Sequence, residues 1–121
     1  MSSWWIWSSI QHFTESEFAP HADKMTGRLL RKLDDTRHIA DVPIYITSHY
    51  RPGDDGAHGD GDAVDISDNN SGDDIGSRWR HRVLDAAYAC KFRRIGIYDK
   101  HIHLDISVTR DQEVTWIGTS K

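Results

Sequence analysis

The 121-residue sequence predicts an α+β fold: a small antiparallel sheet with helices packed on one face and a polar site on the other. Three observations lead there. Two stretches repeat apolar residues at helical spacing, several short runs alternate at period two, and the later strands follow closely enough for hairpins. The length fits a single domain over residues 1–121.

Taken in order, Trp4-Trp5-Ile6-Trp7 reads as core packing in preference to an exposed aromatic contact. Thr14-Glu15-Ser16-Glu17 has the form of a capping box, which predicts a short helix. Met25, Leu29 and Leu33, with Leu30 beside them, form one stripe on a helix of about four turns. Val42, Ile44 and Ile46 alternate with Tyr45 and Thr47 as in a half-buried strand, with Pro43 closing the preceding loop. Residues 51–62 are too rich in Gly and Asp for a long regular element. In residues 63–67, Val64 and Ile66 share one strand face, and Ala63, Asp65 and Ser67 the other. After a loop at 68–72, Ile75, Trp79, Val83, Ala86, Ala87 and Cys90 mark one face of a second helix. Strands are predicted at 94–98, 101–107 and 113–118.

Composition narrows function. The net charge is −4, so wholesale binding to a phosphate backbone is not expected, and Arg78, Arg80 and Arg82 read as a solvated helix face. One cysteine rules out an internal disulfide. Neither a secretory signal nor a membrane span is legible, so a soluble protein without a membrane partner is expected; the further expectations are a monomer and no nucleic-acid partner. Eight histidines are the unusual count, because imidazole is the commonest metal ligand.

Two segments concentrate that chemistry: His58-Gly59-Asp60-Gly61-Asp62-Ala63-Val64-Asp65 and His101-Ile102-His103-Leu104-Asp105. A strand puts His101, His103 and Asp105 on one face and Ile102, Leu104 and Ile106 on the other. If the two strands are neighbours, Asp65 and the histidines converge, and His58 folds over them from the Gly-rich turn. Two histidines and one aspartate suit zinc and leave a fourth position for water, whose pKa the metal lowers. Against this stands the bland reading: one His-x-His pair among eight histidines arises readily by chance, and Asp65 alone suits a turn. Agreement of strand phase in both segments favours the metal. A separate calcium site in the Asp-rich stretch 54–74 is a third reading, without the spaced ligands of a calcium loop.

The order of these residues resembles the D-alanyl-D-alanine carboxypeptidase / L-alanyl-D-glutamate endopeptidase family of zinc peptidases. His58, Gly61, Ala63 and Asp65 fit its His-x-x-Gly-x-Ala-x-Asp element. Ser48-His49-Tyr50-Arg51 is similar to its Ser-Gly-Tyr-Arg, and Ile95-Gly96-Ile97-Tyr98 before His103-Leu104-Asp105 to its Gly-Tyr…His-Val-Asp ending. His12–Phe18 is similar to its start, so the resemblance covers residues 10–108. It implies a zinc peptidase cleaving peptidoglycan stem peptides, with His58, Asp65 and His103 as ligands. It also implies a role for Arg51 in binding a substrate carboxylate or the oxyanion, against the plainer reading of an ion pair with the Asp-rich loop.

The sequence departs from the family at the acid three residues before the last histidine, where Lys100 stands. Asp99 is the acid/base candidate in its stead, with His101 assisting the reaction, and a His-x-His at this place resembles related members and the hedgehog signalling domain of the same fold. Asp105 reads as the group that orients a ligand histidine. Gly56 stands where the family has serine. A compact catalytic domain of this kind resembles a bacteriophage endolysin, cytoplasmic until released to the wall; the alternative is a bacterial wall-remodelling enzyme exported by an unrecognised route. The alternative function is a non-catalytic metal-binding or interaction domain.

Overall fold

The structure, a computed structural model, describes residues 4–119 apart from the side chains of Trp4 and Trp5. The packing expected of those two tryptophans therefore lies outside the described residues. Trp7 is described, and its ring lies 5.5 Å from that of Phe18. Helices α1 (Trp4–Ser8), α2 (Gly27–Ala40) and α3 (Ser77–Ala89) accompany strands β1 (Tyr45–Ser48), β2 (Ala63–Ser67), β3 (Arg94–Ile97), β4 (Ile102–Asp105) and β5 (Val114–Ile117). Single-turn 3₁₀ segments occupy Glu15–Phe18, Ala22–Lys24 and Ala57–Asp60.

The apolar stripe of α2 is realised by Leu29, Leu30 and Leu33, all fully buried. Met25 is buried too, but it lies just before the helix. The helix ends where Asp41 turns left-handed and donates its N–H to the Arg37 carbonyl. The capping box at Thr14 forms, with the Glu17 carboxylate accepting the Thr14 N–H at 2.7 Å. It yields only one 3₁₀ turn, because Pro20 follows and has no N–H to continue a helix. On α3 the buried residues are Trp79, Val83, Ala86 and Ala87, and the Trp79 indole donates to the Pro43 carbonyl at 2.8 Å. One apolar cluster joins these side chains to Val64, Ile66, Ile95, Ile102 and Leu104 of the strands.

The five strands form one sheet in the order β1-β2-β4-β3-β5. The pairings β1/β2, β2/β4 and β3/β4 are antiparallel. The sheet is not purely antiparallel as expected, because β5 pairs parallel to β3. β4 finishes and β5 begins beside the same end of β3, at Arg94, so β5 runs back opposite to β4 and therefore with β3. This order makes β4 central to the site: His103 is paired with Asp65 of β2 on one side and Gly96 of β3 on the other.

Candidate metal centre

Register does the first part of the assembly. The pairing of Asp65 with His103 brings their side chains to adjacent positions on one face of the sheet. His58 arrives from the 3₁₀ turn Ala57–Asp60, which is folded back so that the Arg51 N–H donates to the His58 carbonyl at 3.1 Å. Gly61 closes that turn in the left-handed region at φ 75°, and a side chain there would collide with the Lys24 carbonyl. The glycine-rich spacing between His58 and Asp65 thus serves a close backbone approach.

Three atoms converge. His58 Nε2 lies 3.2 Å from His103 Nδ1 and 3.3 Å from Asp65 Oδ1, and His103 Nδ1 lies 3.1 Å from Asp65 Oδ1. Their outer partners determine where the ring protons reside. His58 Nδ1 faces the His49 carbonyl at 2.8 Å, an acceptor only, so the proton is on Nδ1 and Nε2 is a bare lone pair. His103 Nε2 faces the Asp105 carboxylate at 2.7 Å, so the neutral ring carries its proton on Nε2 and leaves Nδ1 bare. Two imidazole lone pairs and one carboxylate oxygen therefore point at one another, an arrangement that a cation between them makes favourable. Tetrahedral zinc with bonds of about 2.0–2.1 Å has ligand–ligand edges of about 3.3 Å, close to this triangle. The buried group can hold a metal ion.

Positive charge between these groups is favoured, whether carried by a proton or by a metal ion. Burial would raise the Asp65 carboxyl, but hydrogen bonds with His103 and His58 outweigh it and hold its pKa well below the ordinary carboxylate value. Burial would lower His103, but its bonds to Asp105 and Asp65 outweigh that and raise it. Asp105, also lowered against burial by His103, is fixed by Arg94 Nε at 2.8 Å and the Ser107 N–H at 3.0 Å. Asp105 thus occupies the orienting position expected of it.

Arg51 stands beside this group. Its Nη2 donates to Asp65 Oδ2 at 3.0 Å and its Nε to Ser48 Oγ at 3.0 Å, while Nη1 lies 3.5 Å from Asp54 of the Asp-rich loop. The guanidinium therefore makes the loop ion pair and also turns Asp65 so that Oδ1 faces the histidines. The cluster opens on a cleft of about 410 Å³, with Arg51, Tyr98, His101 and Trp116 in its walls. His101 stacks on Tyr98 at 4.3 Å, and its Nε2 is 3.8 Å from Asp65 Oδ2. Burial, the largest effect on His101, lowers its pKa, with Asp65 opposing.

Asp99 is in the turn between β3 and β4, where its carbonyl accepts the Ile75 N–H at 2.9 Å. It is not among the cleft-lining residues. Lys100 points elsewhere, its ammonium donating to the Gly72 carbonyl at 2.9 Å. Tyr98 and Trp116 are site residues that sequence reasoning missed. The Trp116 indole donates to the Tyr98 hydroxyl at 3.0 Å, and its ring lies 5.3 Å from that of His103. Nothing along the chain signals this, because it depends on β5 adding beside β3. Gly96 makes it sterically feasible: a Cβ there would lie 2.6 Å from the Trp116 ring.

Comparison with known proteins finds no matching family model, no matching curated protein and no matching solved structure. Among the described residues, no helix is long and apolar enough to cross a membrane.

Proposed function

We propose that this chain is a zinc-dependent peptidase acting on peptidoglycan stem peptides, as a D-Ala-D-Ala carboxypeptidase or an L-Ala-D-Glu endopeptidase. The observation that carries the proposal is the triangle of His58, Asp65 and His103, whose outer hydrogen bonds leave three lone pairs facing inward at the edge of an open cleft. The motif order across residues 10–108 supplies the substrate class, and the layered reading, with α2 and α3 on the apolar face of the sheet and the site on the other, belongs with it. Zinc bound there supplies Lewis-acid polarisation of a carbonyl and a nucleophile at neutral pH.

The chain's own residues do the rest. A guanidinium has five N–H donors, and the bonds of Arg51 at Nε and Nη2 leave others for a substrate carboxylate or a developing oxyanion. His101, held flat against Tyr98, is the proton acceptor at the cleft wall, with Asp99 as the rival assignment. Trp116 and Tyr98 give the cleft one aromatic wall against which a peptide packs.

The test is release of D-Ala or soluble stem peptides from purified peptidoglycan, with and without chelator. Chelator-sensitive release that falls in His101→Ala and persists in Asp99→Ala supports the proposal in full. A second reading, a metal-binding module without catalysis, is favoured by Lys100, which stands at the family's acid position and is directed to the Gly72 carbonyl. Zinc binding without release from any wall chemistry decides for the module.

A further inference from the structure

Away from the metal centre, α2 and the end of α3 meet the turn at Lys91–Arg93. Two adjoining grooves of about 480 Å³ and 320 Å³ lie there, and Arg28 and Lys32 belong to the walls of both. Five cations line them: Arg28, Arg31, Lys32, Lys91 and Arg93. Among the described residues, Arg28, Lys32, Lys91 and Arg93 form no ion pair with a carboxylate. The Lys32 ammonium instead donates to the Lys91 carbonyl at 3.1 Å. Asp35 lines the first groove, and Asp105 reaches the second, with its oxygens already engaged by Arg94 and His103. In a chain of net charge −4, this concentration runs against the overall balance.

Two details argue against an ordinary solvated face. The first is Lys91, which adopts φ 67° at the end of α3, with the Phe92 N–H closing onto the Ala87 carbonyl. That position favours glycine, and a lysine there bears backbone strain. The second is Arg28, in the first turn of α2. Cations at the end of α3 complement its dipole, but at the start of a helix the dipole opposes a positive charge. Lys32 registers the crowding: burial, then Arg28 and Arg93, lower its pKa.

We propose that this groove is an anion site for an oligophosphate, a ligand with several phosphate groups in succession. Guanidinium forks match phosphate oxygens in pairs, and the lysines add point charges between them. The span of two joined grooves fits a chain of charges better than one isolated phosphate. The site is independent of the metal centre and of the peptidase reading.

The test is calorimetric titration of the metal-free full chain with inorganic tripolyphosphate, at low and high salt, with orthophosphate for comparison. The expected result is that tripolyphosphate binds more tightly than orthophosphate and weakens with salt. Arg28→Gln, Arg93→Gln and Lys91→Gly should each reduce its affinity roughly tenfold. Arg78→Gln, on α3 but outside the grooves, should leave it unchanged. Lys91→Gly discriminates between roles, because glycine suits φ 67° and should hold or raise the melting temperature while binding falls. The proposal is overturned if tripolyphosphate does not bind, if Arg78→Gln weakens it equally, or if a DNA oligonucleotide binds where tripolyphosphate does not.

Discussion

Replacing Asp105 by Asn keeps the shape of the side chain and changes only one acceptor into a donor. In the native protein, Asp105 accepts three hydrogen bonds: from His103 Nε2 at 2.7 Å, Arg94 Nε at 2.8 Å and the Ser107 N–H at 3.0 Å. An amide cannot serve all three. If its oxygen keeps Arg94 and Ser107, its NH₂ faces His103, and the imidazole must lose the proton on Nε2 and carry it on Nδ1. That proton then points at Asp65 Oδ1 and His58 Nε2, where the lone pair was. Restoring the metal-binding tautomer sets two N–H donors face to face, a penalty of about 1–3 kcal/mol for a buried unsatisfied pair. Zinc affinity should therefore fall about 10–100-fold, the range seen when such orienting groups are removed. If the amide turns the other way, Arg94 and Ser107 lose their acceptor, and the loss appears as stability of similar size. Competition titration with a chelator measures the first quantity, and urea unfolding of the metal-free protein the second. Nitrogen chemical shifts of His103 report the tautomer directly. If Asp105→Asn binds zinc within about threefold of the native protein and is equally stable, the outward hydrogen bond does not set the ligand geometry, and the reasoning for this site fails.

Other outcomes follow from the same geometry. Zinc at about a thousandfold over its dissociation constant should stabilise the native protein by about 4 kcal/mol, reversed by chelator and absent in Asp65→Asn, as thermal unfolding would register. Gly96→Ala should cost about 1–3 kcal/mol, because its Cβ would meet the Trp116 ring at 2.6 Å; near-ultraviolet circular dichroism should report the displaced indole. The metal-free protein should be most stable between about pH 4 and 6.5, the unfolded values for Asp and His. Asp65, with its folded pKa lowered, gives stability present above pH 4 and lost as pH falls through that lowered value. His103, with its folded pKa raised, gives stability present below about pH 6.5 and lost as pH rises through the raised value. Urea unfolding across pH checks this, and His103→Gln should flatten the alkaline side.

Much of the fold is legible from periodicity. Leu29, Leu30 and Leu33 on α2, and Val64 and Ile66 on β2, are buried where their spacing puts them, because a side chain's direction is fixed by its own backbone. The same logic puts His101 and His103 on the polar side of their strand and Ile102 and Leu104 in the core. Prediction is weaker where neighbours compete with local preference. The capping box at Thr14 gives only one 3₁₀ turn because Pro20 intervenes, and Asp99 lies in a turn because β3 and β4 close around it.

The sequence by itself determined which side chains share a face, and so the chemistry of the site: two histidines and a carboxylate in strand phase, preceded by a turn flexible enough to bring His58 over them. What only the tertiary structure decided is strand order. Placing β2 beside β4 brings Asp65 within 3.1 Å of His103, and placing β5 beside β3 supplies Trp116 through the gap left by Gly96. The proton positions rest on nearer contacts: the His49 carbonyl, 9 residues from His58, and Asp105, 2 residues from His103. The physical reason is that periodicity is a property of one strand, whereas a ligand triangle is closed by hydrogen bonds between strands, and those are settled only when the sheet assembles.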